Sequence, residues 1–474
     1  MTNSTLMQTH AFVKPKIREL AFRWRDYQST LKKKDALRRI PFYAAGFVTF
    51  ILLGYGLVAL LMSPTSPAGH DLAMQTPGEG AEPGLKTGLK TMIDEAIDKP
   101  ALRKIFNQLP FATACEKTFT VTAGNTSYMV QSSIDPRLQE FIIDHIDRKN
   151  SKHFGFVAME PDTGRIVSMV SYDRNNPDAN ICITPEFPAA SLFKIITAAA
   201  AIEKCGFNCH TPVTFNDNKY TLYKAQLKDR VNKYTHQISF EELFADSVNP
   251  VFGKIGQNRL GKSILESYAT AFGFNTRFDF AIPLSPSTIT IKDDAYNWAE
   301  IASGFNRHTL ISPLHGALVI AGILNNGKLM EPTLIDAIRK DDQVIYHRNA
   351  QEVSNIIDPA TADTLKKLMN ATIISGTASK SFARSNKDKV LSRLNIGGKT
   401  GSINNNAEHL KYDWFAGFAE EKNGENKLVV TVLVVHQDFI GIRAASYSRM
   451  AIKEYFENDY ASLDEGPSSK SAAL

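Results

Sequence analysis

Cysteine is scarce in this sequence, which has four in 474 residues: Cys115, Cys182, Cys205 and Cys209. Cys205 and Cys209 are separated by three residues and followed by His210. No second pair of ligands with the usual zinc spacing occurs, so a metal site is not expected. Whether Cys205 and Cys209 form a disulfide is left open by the sequence.

Charge of one sign does not dominate the chain, because 54 basic and 49 acidic residues leave a net charge of +5. The basic residues are nevertheless unevenly placed, since ten of them fall within residues 1–40, against three acidic ones. Such a cluster is compatible with nucleic-acid binding. The segment that follows favours a membrane instead, and no nucleic-acid partner is expected.

Charged residues are absent from residues 41–62, a run of 22 that reads PFYAAGFVTFILLGYGLVALLM. A helix of this length crosses the hydrocarbon core of a bilayer, and few buried core helices are so long without charge. No small-residue cleavage site follows, which favours an uncleaved anchor over a signal peptide. Lys and Arg are also absent from residues 63–85. We therefore expect a single-pass protein of the cytoplasmic (inner) membrane, with residues 1–40 in the cytoplasm and residues 63–474 outside.

Composition divides much of the remaining chain into a linker, a small N-terminal segment and a tail. Residues 63–88 are rich in Pro, Gly and small polar residues and are predicted to be a linker. Residues 89–133 are predicted to form a small N-terminal stub. Residues 117–134, which overlap its end, are predicted to make a β-hairpin around Gly124 and Asn125. The last residues, 458–474, are predicted to be a disordered tail.

Residues 134–457 have the helix and strand patterns of a globular domain. Helical patterns cover residues 136–148, 189–204, 315–324, 359–374 and 443–457. Strand patterns cover 156–171, as two strands around a turn, and 394–402, 413–420 and 428–436. Consecutive strands near the end, with helices before and after them, predict an α+β fold with an antiparallel sheet flanked by helices.

Ser191 and Lys194 open the helix predicted over residues 189–204. A step of three residues places both side chains on one helical face, one turn apart. A serine hydroxyl becomes an effective nucleophile when a base takes its proton, and a partly desolvated lysine has a pKa low enough to do so. The positive end of the helix dipole also lies near the developing negative charge. The pair therefore predicts a serine nucleophile with a lysine base.

Such short patterns recur by chance in the same chain. S-x-x-K also occurs at Ser29 and Lys32, in the basic segment, and K-T-G also occurs at residues 86–88, in the linker. S-x-N also occurs at Ser402 and Asn404. Structural context and order along the chain must therefore separate the functional copies from the others.

Three motifs stand in the right context. The first is Ser191 with Lys194; the second, Ser247 with Asn249, connects two helical runs; the third, residues 399–402, lies on a predicted strand. In this order they resemble the motifs of penicillin-binding proteins and class A β-lactamases. The resemblance to penicillin-binding transpeptidase domains extends over residues 117–457. It is carried further by residues 134–139, 157–164, 327–332 and 375–378.

This resemblance implies a peptidoglycan D,D-transpeptidase that needs no metal or cofactor. Ser191 would attack the carbonyl between the two terminal D-alanines of a stem peptide, or a β-lactam, and form an acyl-enzyme. Lys194 would be the general base. The backbone N–H groups of Ser191 and Ser402 would form the oxyanion hole.

The resemblance also implies roles for the other motif residues. Ser247 would relay a proton to the leaving amine, and Asn249 would bind the amide backbone of the substrate. Lys399 would set the local field and the protonation of its neighbours. Substrate binding falls to Thr400, Gly401 and Ser402, of which Thr400 and Ser402 would hold the terminal carboxylate.

The sequence departs from the family at residues 304–306, which read Gly-Phe-Asn where many relatives have Gly-Gln-Gly, so the shape of that loop is not predicted. Only about 55 residues separate the predicted anchor from the first matching hairpin. No glycosyltransferase domain is therefore expected, and a separate membrane glycosyltransferase is the expected partner.

Other functions compete with the transpeptidase. A D,D-carboxypeptidase differs only in using water as acceptor, which the sequence barely constrains. A β-lactamase needs a base for deacylation that cannot be located, and membrane anchoring suits it less well. A β-lactam sensor or silent scaffold is disfavoured because Ser191, Lys194 and Lys399 are all present.

Overall fold

The computed structural model of the protein describes residues 97–123 and 125–464. The predicted cytoplasmic tail, membrane helix and linker, residues 1–88, lie outside these ranges and stay predictions. Within the described ranges, no helix combines the length and the apolar character that crossing a bilayer requires.

Ten α-helices are found in the described residues. They are α1 Lys99–Gln108, α2 Pro136–His145, α3 Lys194–Cys205, α4 Phe240–Asp246, α5 Asn249–Ile255, α6 Gly261–Ala271, α7 Ala295–Ser303, α8 Pro313–Leu324, α9 Pro359–Ile374 and α10 Ala444–Asp464. Helix α9 has the predicted bounds. Helix α10 begins one residue later than predicted and ends at Asp464, within the predicted tail.

Fifteen strands are found in the same residues. They are β1 Thr118–Ala123, β2 Thr126–Ser132, β3 Ser151–Met159, β4 Ile166–Asp173, β5 Phe187–Pro188, β6 Pro212–Phe215, β7 His236–Ser239, β8 Leu310–Ile311, β9 Lys328–Met330, β10 Ile335–Lys340, β11 Gln343–His347, β12 Glu352–Asn355, β13 Leu394–Asn405, β14 Leu410–Glu421 and β15 Lys427–Gln437.

The main sheet has five antiparallel strands in the order β13-β14-β15-β3-β4. Alternate residues of β15 pack on opposite faces, Val429 and Leu433 in one core and Val430 and Val432 in the other. Helices α3 and α8 contribute to the first core, and α2 and α10 to the second. The predicted antiparallel sheet flanked by helices is therefore confirmed.

The last three strands are longer than the sequence predicts, and this matters at the site. Strand β13 was predicted to end at residue 402 but continues to Asn405, since Asn404 pairs with Lys411 and Asn405 with Leu410. The motif residues therefore lie inside a long strand rather than at its end.

The predicted hairpin over residues 117–134 is confirmed as β1 and β2, in which Ala123 pairs with Thr126. Strand β2 pairs in turn with β10, and β10 with β11. This second sheet joins part of the predicted stub, residues 89–133, to strands of the segment 134–457. The boundary at residue 133 stays a prediction.

Gln139 links three parts of the fold from a fully buried position on α2. Its Nε2, with two N–H groups, lies within hydrogen-bonding distance of three carbonyl oxygens, those of Phe111 at 2.8 Å, Ala114 at 3.0 Å and Met169 at 2.9 Å. Its Oε1 accepts from Ser168 Oγ at 2.7 Å and from the Met169 N–H at 3.0 Å. Buried polar groups without hydrogen-bond partners are costly, and without this amide several buried backbone groups would have none.

Gln139→Met should lower the free energy of unfolding by about 3 kcal/mol, because several buried donors and acceptors lose their partner at nearly constant volume. Gln343→Met is the matched control, since Gln343 is exposed on β11, and should change stability by less than about 0.5 kcal/mol. Urea denaturation of the full chain measures both. Equal effects of the two substitutions would contradict the role given to Gln139.

Candidate active site

Ser191 lies in a 3₁₀ turn, Ala190–Phe193, that leads directly into helix α3. Ala190 has a φ of 48°, a left-handed conformation that a residue with a side chain seldom adopts. The indole of Trp414 fixes the chain just before this turn, since Nε1 donates to the carbonyl of Pro188 at 2.9 Å. The single predicted helix therefore begins with a tighter, strained turn, as is common at functional sites.

Gly304, which follows helix α7, packs against the same turn. Its φ is 64°, and an added Cβ would lie 1.9 Å from the carbonyl oxygen of Ala190. Backbone conformation and close approach both require glycine here. In the loop whose shape the sequence did not predict, Gly304 supports the nucleophile turn and Phe305, 44% exposed, lines the adjoining cavity.

Lys194 is fully buried and contacts two of the predicted site residues. Its Nζ donates to Ser191 Oγ at 2.7 Å and to Asn249 Oδ1 at 2.6 Å. Asn249 is itself oriented by Nδ2, which donates to the carbonyl of Tyr220 at 2.9 Å. Burial, followed by the charge of Lys399, holds the pKa of Lys194 well below its usual value. A neutral amine in this position can accept a proton from Ser191.

Lys399, on β13, is also fully buried. Its Nζ donates to Ser247 Oγ at 2.9 Å and to the carbonyl of Thr400 at 3.0 Å. Burial lowers the pKa of Lys399 to about 7. Ser247 adopts a left-handed φ of 58° where helix α4 ends. Among the described residues, no acidic group contributes to the pKa shift of either lysine.

Strand β13 is an edge of the main sheet, and no described strand pairs with its outer side. On that side Arg307 Nη2 donates to the carbonyl of Asn404 at 2.7 Å. The N–H and C=O of one antiparallel strand residue point to the same side, and the direction alternates along the strand. The peptide groups of Ser402, two residues earlier, therefore also face outward, as an oxyanion-hole donor requires.

The residues between Lys399 and Ser402 lie close to the nucleophile turn. An added Cβ on Gly401 would be 3.1 Å from Cβ of Trp414 and 3.3 Å from the carbonyl oxygen of Ala189, so a side chain would press the strand away. Thr400 Oγ1 lies 2.5 Å from Thr377 Oγ1. Thr377 belongs to residues 375–378, which the sequence associated with the family without assigning a role.

These elements enclose a cavity of about 760 Å³. The predicted site residues that line it are Ser191, Ser247, Asn249, Thr400 and Ser402. Lys194 and Lys399 do not line the cavity but bond to Ser191 and Ser247, which do. Gly401 likewise does not line it and instead permits the close approach of β13. The structure therefore brings all eight predicted residues together around one space.

Sequence reasoning did not single out several residues of this cavity. These are Tyr220, Ser303, Arg307, Lys411, Arg443 and Asn406. Asn404, which the sequence placed in a second copy of S-x-N, and Thr377 line it as well. Lys411 could have been found from the register of the β13–β14 hairpin, since it pairs with Asn404. Tyr220 and Arg307 come from loops, for which the sequence carries no comparable signal. The second copies of the first and third motifs lie outside the described residues.

All four cysteines are free, so the structure has no disulfide between Cys205 and Cys209. Burial raises the pKa of the Cys182 thiol to about 12, which makes it inert. Within the ranges described above, no group of three or more His, Cys, Asp or Glu side chains is arranged to hold a metal ion.

Comparison with known proteins agrees with this geometry. The family model of the penicillin binding protein transpeptidase domain matches residues 154–454. The peptidoglycan D,D-transpeptidase PbpA of Mycolicibacterium smegmatis is 26% identical over 349 residues, 64% of this chain and 67% of that protein. Stage V sporulation protein D of Bacillus subtilis is 22% identical over 290 residues, 57% of this chain but only 43% of that protein.

Solved structures of penicillin-binding proteins have a similar fold. The crystal structure of PBPA from Mycobacterium tuberculosis is similar with a TM-score of 0.57 and 24% identity, over 69% of this chain and 81% of that one. The D,D-transpeptidase domain of a peptidoglycan glycosyltransferase from Eggerthella lenta also has a TM-score of 0.57, with 20% identity, over 70% and 83%. Since the family model covers more than half of the sequence, the chain belongs to the penicillin-binding protein transpeptidase family.

Proposed function

We propose that this chain is a peptidoglycan D,D-transpeptidase that forms an acyl-enzyme through Ser191. One observation carries the proposal: the fully buried amine of Lys194 lies 2.7 Å from Ser191 Oγ. The similar PbpA of Mycolicibacterium smegmatis is a peptidoglycan D,D-transpeptidase. Penicillin-binding protein A of Mycobacterium tuberculosis forms acyl-enzyme complexes with imipenem and penicillin G.

The first step is acylation. Lys194, whose pKa burial holds well below its usual value, takes the proton of Ser191 in its neutral form while Oγ attacks the carbonyl carbon of the penultimate D-alanine. The carbonyl electrons move onto oxygen, where the N–H groups of Ser191 and Ser402 stabilise the charge. Only donors held in place before the reaction stabilise such an oxyanion without reorganisation, and the turn at Ala190 and the edge strand β13 supply that rigidity.

The second step expels the terminal D-alanine. The C–N bond breaks as its nitrogen receives a proton through Ser247, whose Oγ is hydrogen-bonded to Lys399. Thr400 and Ser402 hold the terminal carboxylate, with Lys399 as the nearby positive charge, and Asn249 binds the amide backbone. Removal of the leaving group yields an ester between the stem peptide and Ser191.

An amine of a second stem peptide then attacks this ester, forms the new cross-linking amide and restores the Ser191 hydroxyl. Water in place of the amine would make a D,D-carboxypeptidase. The amine is favoured because the similar PbpA of Mycolicibacterium smegmatis is a peptidoglycan D,D-transpeptidase.

The proposal includes the cellular setting. Residues 41–62 would anchor the chain in the cytoplasmic membrane with residues 63–474 outside, where peptidoglycan lies. A separate membrane glycosyltransferase would supply the glycan strands. These statements rest on the sequence.

Ser191→Ala should abolish covalent labelling of the full chain by a fluorescent penicillin, because only the nucleophilic oxygen is removed. Ser303→Ala is the matched control: Ser303 lines the same cavity but its Oγ donates to the carbonyl of Ala299 at 2.7 Å. That variant should still be labelled. Labelling that survives in Ser191→Ala would place the nucleophile elsewhere, with Ser247 next to be tested, and an unlabelled native chain would refute the proposal.

The two buried lysines should respond differently to arginine. Lys194→Arg keeps the charge but removes the base, because arginine stays protonated. Its acylation rate should fall on the order of a hundred- to ten-thousand-fold. Lys399→Arg keeps the charge that Lys399 is proposed to supply and should retain a measurable fraction of the rate.

Stopped-flow acylation with one penicillin measures both rates. Lys254→Arg is the control for placing arginine at a buried lysine, since Lys254 pairs with Asp229 at 2.9 Å outside the cavity, and its rate should be unchanged. Equal losses in the first two variants would show that Lys399 also transfers the proton from Ser191. The reverse order would assign the base to Lys399.

A further inference from the structure

The wall of the cavity has an unusual charge balance. Three cationic side chains, Arg307, Lys411 and Arg443, line it, and none of its described lining residues is Asp or Glu. Two further lysines lie behind Ser191 and Ser247. Low-dielectric walls concentrate the field of a cleft lined by one sign of charge, so this cavity attracts anions. Asp413, which does not line the cavity, balances the charge of Arg443. Arg307 and Lys411 have no such partner among the described residues, and one terminal carboxylate near Thr400 would not account for both.

Lys411 is the least compensated of the three. It is half-buried on β14, directly opposite Asn404 of β13. Its ammonium makes no ion pair or hydrogen bond with any described residue, and burial and the charge of Arg443 lower its pKa. Only Asp413 acts in the opposite direction. A half-buried cation without a partner is costly, and an anionic ligand would relieve that cost.

Asp413 is not available to Lys411, because it already holds Arg443. Its Oδ2 accepts from Nε of Arg443 at 2.7 Å and its Oδ1 from Nη2 at 2.9 Å. The N–H of Ala444 also donates to Oδ2 at 3.0 Å. Asp413 is thus fully engaged, and it holds the side chain of Arg443, which is 44% exposed and lines the cavity.

The third cation is held at the free edge of β13. The bond from Arg307 to the carbonyl of Asn404 leaves the rest of its guanidinium exposed to the cavity. Arg307 forms no ion pair with a described carboxylate. Asn404 therefore has Arg307 beside it at the edge and Lys411 beside it in the sheet.

The cations lie upstream of the bond that would be cleaved. If the oxyanion lies between the N–H groups of Ser191 and Ser402 and the terminal carboxylate lies near Thr400, the acyl part of the peptide extends toward Asn404. Two strand residues span about 6.6 Å. Asn404 therefore lies beside the substrate residue that is one or two positions upstream of the reacting carbonyl. A carboxylate on that substrate residue would be within reach of the three cations.

We propose that Arg307, Lys411 and Arg443 form a second anion subsite that selects stem peptides with a free carboxylate upstream of the D-alanyl-D-alanine end. The inference rests on the proposed function, because it takes the orientation of the peptide from it. Two positions of a stem peptide can supply the carboxylate: the side chain of a diamino acid at the third residue, and the free α-carboxyl of a γ-linked D-glutamate at the second.

The test measures binding of fluorescent pentapeptides to the full chain carrying Ser191→Ala, so that no acylation follows. One peptide has both carboxylates, one is amidated at the third residue, one is amidated at the second, and one at both. The fully charged peptide should bind roughly tenfold more tightly than the doubly amidated one, as for a charged hydrogen bond at a partly exposed site. The difference should shrink at high salt.

Substitutions identify the subsite. Combined with Ser191→Ala, Lys411→Gln should reduce the preference for the free carboxylate to less than about threefold. Lys411→Arg in its place should keep most of the preference. Lys389→Gln is the control for net charge, because Lys389 is exposed and does not line the cavity. It should leave the preference unchanged.

A preference for a free carboxylate at either position supports the subsite and identifies the carboxylate that it binds. Equal binding of all four peptides, or a preference that survives Lys411→Gln, overturns it. Penicillin labelling of the native chain is measured beside these arms. Labelling without carboxylate preference would remove the subsite and keep the proposed function, whereas carboxylate preference without labelling would keep the subsite and remove the acyl-enzyme.

Discussion

The burial of two lysines behind one cavity is the constraint on which the rest of the site depends. Lys194 and Lys399 have no exposed surface, and no described acidic group lowers the cost of charging them. Both pKa values are therefore low, and a charge on one disfavours a charge on the other. The pair thus favours one neutral amine, at Lys194, beside one that is partly charged near neutral pH. A general base and a positive charge for an anionic substrate follow from the same burial.

Three elements of the fold meet behind this cavity. Helix α3 carries Lys194, the end of α4 carries Ser247, and the edge strand β13 carries Lys399. Residues with little or no side chain permit the close approach, since a Cβ on Gly304 would collide with Ala190 and one on Gly401 would crowd Trp414. Apolar cores on both faces of the sheet make these positions rigid. Strain at Ala190 and Ser247 is tolerated because the surroundings fix both residues.

Much of this was predictable, for identifiable reasons. Ser191, Lys194, Ser247, Asn249 and Lys399 belong to local motifs with strong context, and the antiparallel sheet follows from consecutive apolar strands. What the sequence could not supply was long-range contact. The 3₁₀ turn before α3 depends on Trp414, 223 positions after Ser191, and the role of Gly304 depends on Ala190. The cations at Arg307 and Arg443 come from loops far apart in sequence, so no spacing rule brings them together. Residues 1–96 lie outside the described structure, and the membrane anchor is supported by sequence alone.

The most direct test of this account is the pH dependence of the acylation rate of Ser191, compared between the native chain and Lys399→Met. The rate should rise with pH as Lys194 loses its proton, with a midpoint well below the usual pKa of lysine. The charge of Lys399 lowers the pKa of Lys194, so removing that charge should raise it and move the rising limb to higher pH. A midpoint that does not move, or that moves to lower pH, would show that the two buried lysines are not coupled and would contradict the account.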